Sequence, residues 1–171
     1  MFFRDHKHVL YLNSGFTMIE TVIVLLIAII FLTLAFAADK HFIRQKLNAA
    51  AAMIAEDIRL TQQLNMKQDG LYTMIFDFVN ERYYIKKYMD IYKKVELPGG
   101  IDLIYTNFDF DNNPYNGPDH RLSFNTRGEP VRANGVLIGG HLSLKDKNDN
   151  ILYVIVASLT GRVRIDTSPP S

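Results

Sequence analysis

The sequence predicts an α+β fold in which one long N-terminal helix is packed on a C-terminal antiparallel β-sheet domain. Three features of the 171-residue chain predict it. A nearly uncharged apolar run close to the N-terminus is long enough to be a membrane helix. It passes into a stretch whose apolar residues recur every three or four positions. From Leu71 onward the apolar period falls to two, interrupted at short intervals by Gly, Pro, Asn and Asp.

Composition removes several classes of function. The net charge of +1 gives no whole-chain attraction to nucleic acid or to an acidic partner. With no cysteine, disulfide frameworks, thiolate chemistry and Cys-ligated metals are excluded. The histidines His6, His8, His41, His120 and His141 stand at no metal or catalytic spacing. No HExxH, nucleophile elbow, P-loop or Rossmann glycine pattern occurs, so the chain reads as a non-enzyme without a cofactor.

The first segment, 1–15, carries Arg4 and Lys7. Basic residues before a span are retained in the cytoplasm, which places everything after the span outside. From Phe16 to Ala38 the only ionisable side chain is Glu20. As a helix this run is roughly 34 Å long, enough to cross a hydrocarbon core. Three readings compete. A secretory signal would be cut after the A-x-A-like Ala35-Phe36-Ala37, but the run is longer than a signal core and contains Glu20. A plain anchor explains the length but not Glu20. The third is a prepilin.

Gly15-Phe16-Thr17-Met18-Ile19-Glu20 resembles the type IV prepilin cleavage motif, in its expected position between basic leader and apolar run. The resemblance implies that a membrane-embedded prepilin peptidase cuts after Gly15, removes the leader 1–15 and methylates Phe16. Physics singles out Glu20 independently. An ionised carboxylate within an apolar helix costs on the order of 2.5–3.5 kcal/mol on insertion scales, so it normally has a partner. The α-amino group created at Phe16 lies one helical turn away. The resemblance implies that Glu20 pairs with the amine of its own or a neighbouring subunit during assembly; the alternative is a Glu20 resting at headgroup level.

The helix continues beyond the apolar run. Ile43, Leu47, Ala50, Ala51, Ile54, Ile58 and Leu64 form one stripe, with Arg44, Lys46, Glu56, Asp57 and Arg59 on other faces. Asp69-Gly70 supplies a stop. The expectation is one helix from about Phe16 to about Lys67: a membrane or filament-core half over 16–38 and an amphipathic half over 39–68.

The β-rich domain spans 69–167. Strands are expected at Tyr72–Phe78, Arg82–Tyr88, Ile101–Tyr105, Arg121–Asn125, His141–Leu144, Ile151–Ala157 and Arg162–Asp166. Turns fall at Val79-Asn80-Glu81, Pro98-Gly99-Gly100, Thr126 to Pro130, Asp146 to Asn150 and Thr160-Gly161. Asn107 to His120 is a polar loop, and the tail 168–171 frays. Asp57-Ile58-Arg59-Leu60, the F-D-x-x-N-x-R-Y-x-I pattern from Phe76 to Ile85, Phe124 to Gly128 and Thr160 to Ile165 extend the pilin-like resemblance across most of the chain. They are most similar to minor pseudopilins of the type II secretion H class and fimbrial T-type minor pilins. That resemblance implies a single-pass inner-membrane subunit whose domain lies outside, then a place in a type IV pilus or pseudopilus. Its implied partners are other pilin or pseudopilin subunits, the prepilin peptidase, an assembly platform protein and an ATPase.

Gly161-Arg162-Val163-Arg164 is the sharpest binding candidate. Strand alternation places Arg162 and Arg164 on one face. In some fimbrial T-type relatives a similar motif contributes to DNA binding, which implies DNA as a further partner; the alternative is a solvated face that blunts a sheet edge. Arg127 and Arg132 are positioned in the sequence to enlarge the patch. Asp109-Phe110-Asp111-Asn112-Asn113 begins like a calcium loop, but Pro114 and His120 stand where the EF-hand needs glycine and glutamate, so a polar loop without metal is expected.

Overall fold

A computed structural model describes residues 17–170 except 112, 114 and 116–118, and for 35–41 the backbone only. Helix α1 runs Met18–Met66 and is followed by nine strands. These are β1 Tyr72–Asp77, β2 Arg82–Lys87, β3 Asp90–Glu96, β4 Ile101–Thr106 and β5 Arg121–Phe124, then β6 Pro130–Val131, β7 Gly140–Asp146, β8 Ile151–Val156 and β9 Val163–Asp166. The leader 1–15, with Gly15, and Phe16 lie outside the described residues.

The chain forms two compact units, Met1–Asp39 and Lys40–Ser171. In the first, the described part is the opening of α1. Thr17 caps it: its Oγ1 accepts from the Glu20 N–H at 3.3 Å, and its carbonyl accepts from Glu20 and Thr21. Every described side chain from Thr17 to Leu34 is exposed. Among the described residues no helix is long and apolar enough to cross a membrane; of the expected span 16–38, side chains are described only over 17–34.

In the second unit α1 packs on two antiparallel sheets rather than one. Sheet A has the order β3-β2-β1-β5-β6 and sheet B the order β4-β7-β8-β9. The predicted stripe is the packed one: Leu47, Ala50, Ala51, Ile54 and Ile58 are buried against Met74, Phe76, Tyr83, Leu122 and Phe124 of sheet A and Leu103, Leu142, Leu144, Val154 and Val163 of sheet B. Alanines at 50, 51 and 55 let the sheets approach the helix closely.

Two expectations change. The sequence reading has no strand at 90–96, yet β3 pairs with β2 along its length, with a bulge near Lys86. Its turn, Tyr88-Met89, carries none of the usual turn residues; Tyr88 itself takes the left-handed conformation, at φ 54°. The short β6 was also not expected. The second change concerns Asp57, placed on a solvent face by its charge. It is 4% exposed and faces the sheets. Position 57 follows Ile54 by three and precedes Thr61 by four, so it lies on the buried stripe. It remains there because Tyr83 Oη donates to Oδ2 at 2.7 Å and Lys93 pairs with Oδ1.

The C-terminal end of α1 is held by two side-chain amides. Asn65, buried, accepts from the Tyr72 N–H at 2.9 Å and donates to the Tyr72 carbonyl at 2.8 Å, as a neighbouring strand would. Gln62 Nε2 donates to the Gly128 carbonyl at 2.6 Å and to that of Gly161 at 3.4 Å, joining a turn of sheet A to a turn of sheet B.

Candidate functional site

The N-terminal candidate is the surface of α1 from Thr17 to Leu34. Met18, Ile19, Val22, Ile23, Leu25 and Leu26 show half or more of their surface. A soluble helix turns such residues onto a core; here they stand outward all round. Glu20 is the single carboxylate among them and sits in the first helical turn. Thr17-x-x-Glu20 has the capping-box spacing, with the Thr17 half of the box formed. The acidic group also lies near the positive end of the helix dipole. Among the described residues Glu20 has no ion-pair partner.

The second candidate lies on sheet B. β9 is one of the two edges of sheet B, and Arg59 of α1 donates to its Val163 carbonyl at 3.2 Å. Arg162 and Arg164 line one cleft of about 670 Å³ with His141, Asn107 and Ile155, as the strand alternation predicts. Both are exposed. Arg164 reaches Asp166 only at 4.0 Å, so its charge is weakly compensated. Among the described residues no carboxylate side chain lines the cleft. Burial holds the His141 imidazole below its usual range, so it stays neutral at pH 7, and among the described residues its Nδ1 has no hydrogen-bond partner. Arg127 and Arg132 do not join this patch. Arg127 pairs with Glu129 at 2.8 Å, and Arg132 donates to the Asp109 carbonyl.

The 107–120 loop brings Asp109, Asp111 and Asp119 together, with ligand oxygens within 4.8 Å of one another. The Asp119 carboxylate already accepts the N–H groups of Phe110, Asp111 and Arg121. Its oxygens thereby tie Asp119 to the backbone at 110, 111 and 121. At the 146–150 hairpin, Asp146 accepts from the backbone of Asn148 and Asn150, the arrangement of an Asx turn.

The sequence matches no protein-family model and no curated protein. The fold does match solved structures. One is the type IV minor pilin FimU of Pseudomonas aeruginosa, at TM-score 0.55 and 11% identity, covering 74% of this chain and 94% of that one. Another is the minor pseudopilin EpsH from the type 2 secretion system of Vibrio cholerae, at TM-score 0.50 and 14% identity, covering 70% of this chain and 95% of that one. At such identities the likeness is one of fold. The chain therefore has a type IV pilin-like α+β fold, similar to that of a minor pilin and a minor pseudopilin.

Proposed function

We propose that the chain is a minor subunit of a type IV pilus or of a type II secretion pseudopilus. The observation that carries this reading is the outward-facing, largely apolar surface from Thr17 to Leu34, in which Glu20 is the only ionisable side chain. Such a surface needs a covering. Lipid supplies it first, and the helices of neighbouring subunits replace the lipid during assembly. In this reading the peptidase cuts after Gly15 and methylates Phe16. The new amine then pairs with Glu20, which fixes the register of each incoming helix. The domain from Lys40 onward stays outside the inner membrane, and a platform protein and ATPase drive extraction. The role is structural rather than enzymatic.

The test is the intact mass and N-terminal sequence of the membrane-extracted protein coexpressed with a prepilin peptidase, beside Gly15→Ala. A mature chain starting at methylated Phe16, absent from the variant, supports the proposal. A chain that keeps Met1, or that starts at Ala38, overturns it.

A second reading rests on the cleft that Arg162 and Arg164 share, where no described carboxylate side chain opposes them. Two guanidiniums side by side suit successive phosphates of DNA. This role is compatible with the first.

A further inference from the structure

One face of sheet B is spent on the core: Leu103, Leu142, Leu144, Val154 and Val163 are buried there with α1. Side chains alternate along a strand, so the residues between these stand on the opposite face. The strand registers order them. One cross-strand row runs Tyr105, Ser143, Tyr153, from β4 through β7 to β8. The next runs His141, Ile155, Arg164, from β7 through β8 to β9. Tyr105 joins the first row because the bulge in β4 skips Ile104 and brings Tyr105 opposite Ser143.

The rings of the two rows meet. The Tyr105 and His141 centroids lie 5.5 Å apart, and those of His141 and Tyr153 5.6 Å. Adjacent strands β4, β7 and β8 thus carry one continuous aromatic surface. Ser143, between the two tyrosines, is only 2% exposed, so the rings close over it. Tyr105 itself is 54% exposed, and His141 and Tyr153 are half-buried. Rings left at the surface forgo the burial that their apolar area favours, until something flat covers them.

Cations border this surface. Arg164 ends the second row, and Arg162 precedes it by two residues, about 7 Å along the chain. Asp166 stands opposite Tyr153, but its carboxylate is turned to its own tail. Oδ1 accepts from the Thr167 N–H at 2.8 Å and from the N–H and hydroxyl of Ser168 at 3.2 and 3.1 Å. Oδ2 reaches Arg164 only at 4.0 Å. His141 and Ile155 line the arginine cleft too, so rings and guanidiniums share one surface.

We propose that this face of sheet B binds single-stranded nucleic acid, its bases stacked on Tyr105, His141 and Tyr153 and its phosphates on Arg162 and Arg164. The proposal rests on the arginine cleft being a nucleic-acid site and adds the residues that meet the bases. In a duplex each base is covered above and below by its neighbours, so only edges and backbone reach a protein surface. In a single strand the base faces are free, and aromatic side chains on an open sheet stack them without regard to sequence. A neutral polymer would leave the arginines unused. An acidic glycan shares the need for them, so the test includes one.

The test uses the full chain in zwitterionic nanodiscs and fluorescence anisotropy of three labelled probes of equal length. These are a thymidine strand of about 16 nucleotides, an abasic strand with the same phosphates, and a duplex. The thymidine strand should bind about fivefold or more tightly than the abasic strand, and more tightly than the duplex. Tyr105→Leu and Tyr153→Leu should each weaken the thymidine strand by about fivefold or more, and leave the abasic strand and the salt dependence unchanged. Tyr153→Phe keeps the ring and should bind like the parent chain. Tyr115→Leu, at a tyrosine 95% exposed in the 107–120 loop, should change nothing. Thermal melts confirm that each variant is folded, and the comparison of thymidine with abasic strand needs no variant. Equal binding of those two strands, or indifference to both leucine variants, overturns the proposal while leaving the arginine reading intact. Displacement of the thymidine strand by polygalacturonate as readily as by unlabelled strand also overturns it. If neither strand nor duplex binds at low salt, the arginine reading falls with it.

Discussion

Gly161 and Gly128 meet backbone to backbone: a Cβ built on Gly161 would overlap the carbonyl oxygen of Gly128, while Gln62 of α1 donates to both carbonyls. One turn belongs to sheet A and the other to sheet B, so this contact closes the two sheets over the end of the helix. Gly161 is also left-handed, at φ 62°.

Gly161→Ala is therefore expected to combine a left-handed backbone penalty with a steric clash, destabilising the domain by at least about 2 kcal/mol. Gly135 is left-handed too, at φ 81°, but a Cβ there meets nothing within 4 Å. Gly135→Ala should show only the backbone penalty, about 1 kcal/mol. Urea denaturation of both variants separates the two contributions.

The Asp57 site gives an alkaline signature. Burial first, then the hydrogen bond and charge of Asp57, hold the Tyr83 phenol far above its ordinary 10.0. In the unfolded chain the phenol ionises near pH 10, about its reference value. Above that pH the unfolded state binds fewer protons than the folded state, so stability falls as pH rises. Tyr83→Phe should cost about 2 kcal/mol at neutral pH by removing a hydrogen bond to a charged group. It should also flatten the loss of stability above pH 10, measured as denaturation midpoints against pH.

Much of this arrangement was legible in the sequence. The helix ends within a residue or two of where its periodicity stops, because apolar spacing and the Asp69-Gly70 stop are local signals. The alternation of Arg162 and Arg164 likewise survives folding, because it depends only on the pleat. What was not legible depends on partners distant in the chain. Asp57 reads as a surface residue until Tyr83 and Lys93 are placed beside it. β3 escapes notice because Lys93 and Lys94 dilute its pattern and its turn uses Tyr88 in place of glycine. The T-x-x-E spacing of Thr17 and Glu20 lies inside the prepilin-like motif, so the same two residues carry a second, local signal for a helix N-terminus.

The arginine cleft makes a salt-dependent prediction. If the second reading holds, double-stranded DNA binds the full chain, and the Arg162→Ala/Arg164→Ala pair weakens it. Each phosphate contact contributes about 0.9 to the slope of log affinity against log salt, so removing two should lower the slope by about 2. Arg127→Ala, taken from a residue already paired with Glu129, should leave the slope unchanged. Filter binding from low to moderate salt measures it, and absence of binding at low salt removes the DNA reading while leaving the filament proposal intact.

Glu20 has two physical roles that a single substitution separates. As the N3 residue of a capping box it needs a side-chain acceptor, and glutamine serves there nearly as well as glutamate. As the partner of an N-terminal amine it needs a negative charge, which glutamine lacks. If Glu20 only caps α1, Glu20→Gln should be inserted, processed and assembled like the parent chain. The filament proposal predicts otherwise: Glu20→Gln accumulates in the membrane with its leader removed but is depleted from filaments. Comparing the variant's abundance in the membrane and sheared-filament fractions, with mass spectrometry of the N-terminus in each, decides between the two. Glu20→Asp keeps the charge on a shorter arm and should recover part of the incorporation, which an effect of helix capping alone would not produce.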